Sequence, residues 1–384
     1  MTARERLARL RGMLRLTREG VEFAAGLAEE THRAIAAAPL AAVPALPVAR
    51  VHDGVVRGVY ACVRVTSRVL FGALDRALAL AGPRLAPPIH VPGPLVGLLH
   101  GIFGDRISRD RNPLRIAMQL RHRGRRLALT RAALARVVPG ADACVVVFVH
   151  GLAADESCWR RGAGRQFGRA DVDYGDLLGA DVVPLYLRYN SGLRIPDNGR
   201  RLADLLDRLV AALPGPRRLV LVGHSMGGLV VRSACHHGRA RGDAWTERVS
   251  DVVCLGAPHR GAGLERFGVA AVAALVRWSI TAPVARAIDL RSAGIKDLRR
   301  GTIRDEPGDE ARLPRARYHN LAGTLQSRPL AWALGDGLVR PRSAAPEEPA
   351  CRRTVVAGVD HVAMLAHPEV LRWLAEIVEA EPDA

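Results

Sequence analysis

The sequence predicts an α/β fold over residues 141–384, a mostly parallel sheet flanked by helices. Three observations predict it. Apolar runs of strand length recur along this stretch, at Cys144 to Val149, Val182 to Leu187, Leu219 to Val222 and Val252 to Gly256. Helix-period segments such as Leu202 to Leu213 lie between them, as crossovers in a parallel sheet require. The run at Leu219 then passes through Gly223-His224-Ser225-Met226-Gly227 into a further helical pattern (Leu229, Val230, Val231, Ala234), a strand–turn–helix unit.

Taken in order, residues 1–140 read as a helical N-terminal region and a lead-in arm. Leu7, Leu10 and Leu14 form one stripe, and Val21, Ala24 and Ala28 another. The segment Val48 to Leu80 sets Val51, Val55, Val59, Val63 and Leu70, Leu74, Leu78 at helical spacing, with Arg57, Arg64, Arg68 and Arg76 between them. Such a basic amphipathic helix either packs its apolar face on the rest of the protein or lies on a membrane surface. Proline-rich breaks at Pro39 to Pro47 and Pro83 to Pro94 bound it. Residues 95–140 follow as an arm, apolar from Leu95 to Phe103 and basic from Arg121 to Arg131, the latter read as a solvated face.

Residues 141–384 carry the sheet. From Ala262 to about Gly301 the strand–helix alternation gives way to helical pieces, Val269 to Ile280 and Ala282 to Leu290. Tyr318 to Ala322 and Thr354 to Gly358 supply the last two strands, and Pro368 to Glu379 a closing amphipathic helix.

Composition bounds the function. The chain is 49% hydrophobic, which suits a globular protein with a large core. Its net charge of +18 comes almost wholly from arginine, Lys296 being the single lysine. A basic surface favours anionic membranes or acidic partners. With aromatics at 4% and no recognised binding motif, nucleic acid is not an expected partner. The six cysteines are scattered without a C-x-x-C pair, so neither a metal site nor a disulfide framework is expected. Residues 1–20 lack an apolar signal core, and Pro87, Pro88, Pro92 and Pro94 interrupt the longest uncharged window. The expectation is a cytoplasmic protein, with peripheral membrane contact as its variant.

The Gly223–Gly227 motif sets the chemistry. A serine on a tight turn needs small residues two before and two after it, and the helix that follows aims free N–H groups at the same place. Ser225 is the candidate nucleophile. It needs a base to take its proton and a carboxylate to orient that base, in the chain order serine, acid, histidine. His361, in Gly358-Val359-Asp360-His361, follows the final strand, where the base is expected. His259, in Gly256-Ala257-Pro258-His259-Arg260-Gly261, is its rival; His319 sits inside a strand and His367 at a helix start. Asp336, in Gly335-Asp336-Gly337, is the candidate acid. Asp360 is too close in sequence to His361, and Asp289 lies among the helical pieces. The backbone N–H groups of Met226 and of Leu152, beyond His150-Gly151, are the candidate oxyanion hole. Gly151 allows close approach there, and His150 reads as a structural hydrogen-bonding group. No cofactor is required.

The ordered set His150-Gly151-Leu152, Gly-His-Ser-Met-Gly-Gly, Gly-Ala-Pro-His-Arg-Gly, Asp-Gly-Leu-Val and a late Asp-His resembles the α/β-hydrolase lipases and esterases. Within them it looks most like the bacterial relatives grouped with GPI inositol-deacylase. The resemblance covers about residues 141–384 and implies a carboxylic-ester hydrolase with Ser225, Asp336 and His361 as its triad, Gly223, His224, Gly227, Pro258 and His259 supporting. The turn Tyr189-Asn190-Ser191-Gly192, with Asn198-Gly199-Arg200 after it, is also similar to such relatives. The helical stretch 262–301 falls where these hydrolases carry a lid. Its Leu264, Phe267, Val272, Leu275, Val276 and Ile280 either line an acyl-chain groove or pack on the core; the first, with the basic helices, suggests a lipid-like ester substrate. An acyltransferase or thioesterase with the same triad, and a non-catalytic membrane- or granule-binding protein, are the other classes the sequence leaves open.

Overall fold

The computed structural model describes residues 3–40, 48–82, 93–109, 112–138, 143–214, 217–261, 292–306, 310–325, 335–349 and 351–380. The expected lid members at 262–291, and most of both proline-rich breaks, lie outside the described residues. The chain divides into two compact units. One comprises Met1–Pro92, Ile107–Arg115 and Ala270–Leu290, the other Gly93–Arg106, Ile116–Val269 and Arg291–Ala384.

In the first unit, α1 (Ala3–Leu40) and α2 (Val48–Ala81) pair as an antiparallel helical hairpin. Leu7, Leu16, Ala25 and Val56 are buried. Arg11 and Arg15 pair with Asp75, Arg68 with Glu22 and Arg64 with Glu29, an order that fixes the antiparallel register.

The second unit is built on an eight-stranded sheet. Its strands are β1 (Gln119–His122), β2 (Arg125–Arg126), β3 (Cys144–Val149), β4 (Val182–Arg188), β5 (Leu219–His224), β6 (Val249–Leu255), β7 (Arg317–Thr324) and β8 (Cys351–Ala357). They lie in the order β2-β1-β4-β3-β5-β6-β7-β8. The six from β3 onward are parallel, and the β1–β2 hairpin joins antiparallel to β4. Every residue of β3, β5 and β6 is buried, which is why these strands read as unbroken apolar runs. The outermost strand β8 is mostly exposed or half-buried, and so tolerates Arg352 and Arg353.

Helices among the described residues of this unit begin with α3 (Gly93–Arg109), then α4 (Arg131–Ala135), α5 (Ala163–Phe167), α6 (Tyr174–Leu177), α7 (Ile195–Ala212) and α8 (Met226–Arg241). Later come α9 (Ala293–Arg300), α10 (Pro341–Ala344) and α11 (Pro368–Glu379). Two apolar clusters occupy the faces of the sheet. One gathers Val145, Val147, Leu221 and Val252 with Leu202, Leu206, Leu229 and Val230 of α7 and α8. The other gathers Val146, Phe148, Val222 and Val253 with Val370 and Leu374 of α11. Alternating residues of one strand thus feed opposite clusters, as the two-residue period of a strand demands.

Candidate active site

β5 runs into α8 through Ser225, whose backbone is held at φ 54° and ψ −126°. A residue with a side chain in that region costs of order 1–3 kcal/mol, so its surroundings must hold it there. The Ser225 N–H donates to the Leu255 carbonyl at 2.8 Å. A Cβ at Gly227 would overlap the Val149 and His150 carbonyls. The second glycine of the motif therefore lets α8 sit directly over the end of β3. Ser225 is 3% exposed and caps α8, so Met226 is that helix's first residue and its N–H is free of the helical ladder.

β8 leads through Gly358-Val359-Asp360 to His361. Its Nδ1 lies 2.7 Å from Asp336 Oδ2, both side chains being buried. A carboxylate partner assigns the proton to Nδ1. Asp336 Oδ1 accepts from the Leu338 N–H at 2.9 Å and the Val339 N–H at 2.7 Å. The Asp-Gly turn is thus a device that aims the carboxylate, and the His361 N–H donates back to the Asp336 carbonyl at 3.0 Å. A Cβ at Gly256, just past β6, would stand 3.2 Å from His361 Nδ1 and 3.3 Å from Asp336 Oδ2. A side chain there would press on the pair by a few tenths of an ångström, and Gly256 also holds a positive φ of 59° that favours glycine.

The same histidine is tied to the elbow. His224 Nε2 donates to the His361 carbonyl at 2.8 Å, and the two rings lie 4.8 Å apart. Burial, and after it the nearby His361, push His224 down to about 3, so its ring is neutral and its donor fixed.

On the other side, a Cβ at Gly151 would meet Ser225 Cβ at 3.0 Å, which places the loop after β3 against the serine. His150 is buried, its Nδ1 donates to the Gly151 carbonyl at 2.9 Å, and burial lowers its pKa. Leu152 follows half-buried, and Ala153 takes a positive φ of 58°. The turn 189–192 explains how the loop is held. Tyr189 Oη donates to the His150 carbonyl at 2.7 Å, Ser191 Oγ accepts from the Ala153 N–H at 3.0 Å, and Asn198 Nδ2 donates to the Asn190 carbonyl at 3.0 Å.

Sequence reasoning missed the backing of this loop by α3. A Cβ at Gly97 would lie 2.6 Å from the Ala154 carbonyl oxygen, and one at Gly101 2.6 Å from Ala153 Cα. Asn190 Nδ2 also donates to the Gly104 carbonyl at 2.8 Å. Glycines at 97, 101 and 104 form a helical i, i+4, i+7 stripe, a signal present in the sequence but submerged in an apolar stretch.

The remaining candidates are placed elsewhere. His259 Nδ1 accepts from Arg232 Nη1 at 2.6 Å, so it is not the N–H that a carboxylate-oriented base presents. Burial first, then Arg232, holds its pKa well below the usual histidine range. It borders a cavity of about 830 Å³ lined by Arg232, Arg304, Glu310, Arg312 and Glu348, which does not include Ser225 or His361. The Pro258 carbonyl accepts from the Gly261 N–H at 2.9 Å, closing the turn. His319 meets Asp251 at 2.9 Å, but Asp251 belongs to the amino-terminal half of β6. The His367 N–H donates to Tyr174 Oη at 2.7 Å at the start of α11. Asp360 Oδ1 accepts from the Val362 and Ala363 N–H groups, and Asp289 lies outside the described residues.

Residues 197–297 match the family model described as the PGAP1-like alpha/beta domain. The observed architecture is an α/β one, a mostly parallel mixed sheet with helices packed on both faces. Three solved structures show distant likenesses to the chain. The mature lipase BlEst2 of Bacillus licheniformis is 21% identical with a TM-score of 0.43, covering 62% of this chain and 93% of that one. RedJ thioesterase from the prodiginine pathway of Streptomyces coelicolor is 18% identical with a TM-score of 0.37, covering 63% and 91%. The metagenomic carboxyl esterase MGS0156 is 19% identical with a TM-score of 0.38, covering 78% and 98%. Comparison with curated proteins gives no match.

Proposed function

We propose that the chain is a serine hydrolase that cleaves carboxylic esters of lipid-like acyl chains. The observation that carries this reading is the 2.7 Å contact between His361 Nδ1 and Asp336 Oδ2, held next to the strained Ser225 turn through His224.

In this reading Ser225 Oγ attacks the ester carbonyl carbon while His361 Nε2 takes its proton. Asp336 keeps Nδ1–H in place and stabilises the imidazolium that forms. The carbonyl oxygen becomes an oxyanion, which the Met226 and Leu152 N–H groups receive, each such donor contributing about 3 kcal/mol to the barrier reduction. Collapse expels the alcohol, which leaves with the proton from His361, and the acyl group stays on Ser225. Water, deprotonated by the same imidazole, then releases the acid and restores the serine.

The test is a panel of p-nitrophenyl esters of increasing chain length, assayed with wild type and with Ser225→Ala. The expected result is turnover that rises into the medium and long chains and falls by about 10⁴-fold or more in the variant. Turnover confined to short chains would remove the lipid-like part of the reading. Equal turnover by both proteins would remove the whole of it. If esters fail but an acyl thioester or a second alcohol acceptor works through Ser225, the chain is a thioesterase or acyltransferase instead.

A further inference from the structure

The inner side of α2 is satisfied by α1. Val56 and Ser67 are buried, and Asp75 and Arg64 meet α1 residues. Its outer side is different. Val51, Val55, Val59, Val69, Leu70 and Leu80 all stand exposed, Val69 at 67% and Leu80 at 89%. At 100° per residue they share one half of the helix surface. The exposed positions between them are Gly54, Gly58, Cys62, Val65, Ala73 and Ala77, with Thr66 and Arg76 the polar exceptions. From Val51 to Leu80 this face runs about 44 Å at the usual helical rise. Soluble monomers rarely leave so long an apolar face in water.

We propose that the outer face of α2 docks on an anionic lipid surface. Two observations choose lipid over a second copy of the chain. Arg57 and Arg68, whose side chains are 60% and 59% exposed, border the face along one edge; each pairs with a carboxylate of the hairpin, Asp53 and Glu22, and stays open to solvent, where a long cationic side chain can exchange that partner for a headgroup while the apolar side chains enter the acyl boundary. Residues 1–92 carry thirteen arginines against seven acidic residues, a surplus that repels another copy and attracts a negative bilayer. Among the described residues no helix is long and apolar enough to cross a membrane, so the contact is one of lying on the surface. This inference does not rest on the esterase reading.

The experiment is co-sedimentation of the full chain with phosphatidylcholine vesicles containing phosphatidylglycerol and with pure phosphatidylcholine vesicles. The variant is Val55→Asn/Val59→Asn/Leu70→Gln, whose positions are exposed, and its circular dichroism and melting confirm that it folds. The expected result is binding to the anionic vesicles, weakened at least tenfold in the variant and unchanged in Ser225→Ala. Equal binding by variant and wild type, or no binding by wild type, would overturn the proposal. So would a wild-type dimer in solution that the variant dissolves while vesicle binding stays absent.

Discussion

His224 Nε2 stands 2.8 Å from the backbone carbonyl of His361, so the residue before the candidate nucleophile holds the loop of the candidate base. The bond crosses 137 residues of sequence and is buried. Replacing His224 with Ala leaves that carbonyl without its donor, a loss of about 1–3 kcal/mol of stability. Ester turnover is expected to fall with it, and His224→Gln, which keeps an N–H donor, is expected to recover part of both. Urea denaturation and steady-state kinetics of the two variants check this.

The same ring makes stability depend on pH. An unfolded histidine titrates near 6.5, whereas folded His224 is pushed down to about 3. Between those values the unfolded chain binds a proton that the folded one refuses, so stability falls as pH drops from about 6.5 and levels off below about 3. For this one ring the full loss is on the order of 5 kcal/mol. Buried His150 and His259 are lowered too and act in the same direction. Denaturation free energies at pH 7 and pH 5 are expected to differ less in His224→Gln than in wild type.

A second ionic cluster separates stability from chemistry. Buried Asp251 receives His319 Nε2 at 2.9 Å, Arg317 Nε at 2.8 Å and Arg218 Nη2 at 2.8 Å. Burial raises its pKa, but these donors outweigh that and hold it well below the usual carboxylate range. Its stabilisation is present above the unfolded value near 4 and is lost as pH falls beneath it, a window lower than that of the histidines. Asp251→Asn is expected to cost about 3–5 kcal/mol because it leaves two half-buried arginine charges without their carboxylate. Ester turnover by the fraction still folded is expected to stay near wild type.

The α3 stripe tests the loop after β3. Gly101→Val puts a branched side chain where even a Cβ would lie 2.6 Å from Ala153 Cα, so the loop must shift. Overpacking of this kind costs about 1–3 kcal/mol. If Leu152 supplies an oxyanion donor, kcat falls by about 10²-fold while KM changes little. A variant that melts lower but keeps kcat would detach α3 from the chemistry.

What the sequence made legible follows from burial. β3, β5 and β6 are covered on both faces and announce themselves as apolar runs. The β1–β2 hairpin lies within the arginine-rich stretch that reads as a solvated surface, because Arg125 and Arg126 are exposed at the sheet edge. β8 begins at Cys351 rather than Thr354, since Arg352 and Arg353 project outward from an outermost strand. α7 begins at Ile195, seven residues before Leu202, with Pro196 in its first turn and Asn198-Gly199 inside it. A Cβ at Gly199 would strike Ser233 of α8, so close helix packing explains a glycine inside α7. Ser225 and Asp336 stand out as candidates because their turns have local signatures. The Arg232 bond to His259, the Asp251 cluster and the contact of α3 with the loop join residues far apart in sequence, and no local pattern encodes them.

The most direct measurement is intact-protein mass spectrometry after exposure to a fluorophosphonate, followed by peptide mapping. One phosphonyl group on Ser225, absent from Ser225→Ala and slowed strongly in His361→Ala, is the predicted result. A folded wild-type chain that stays unlabelled, or that is labelled at another residue while Ser225→Ala still turns over esters, would contradict the account.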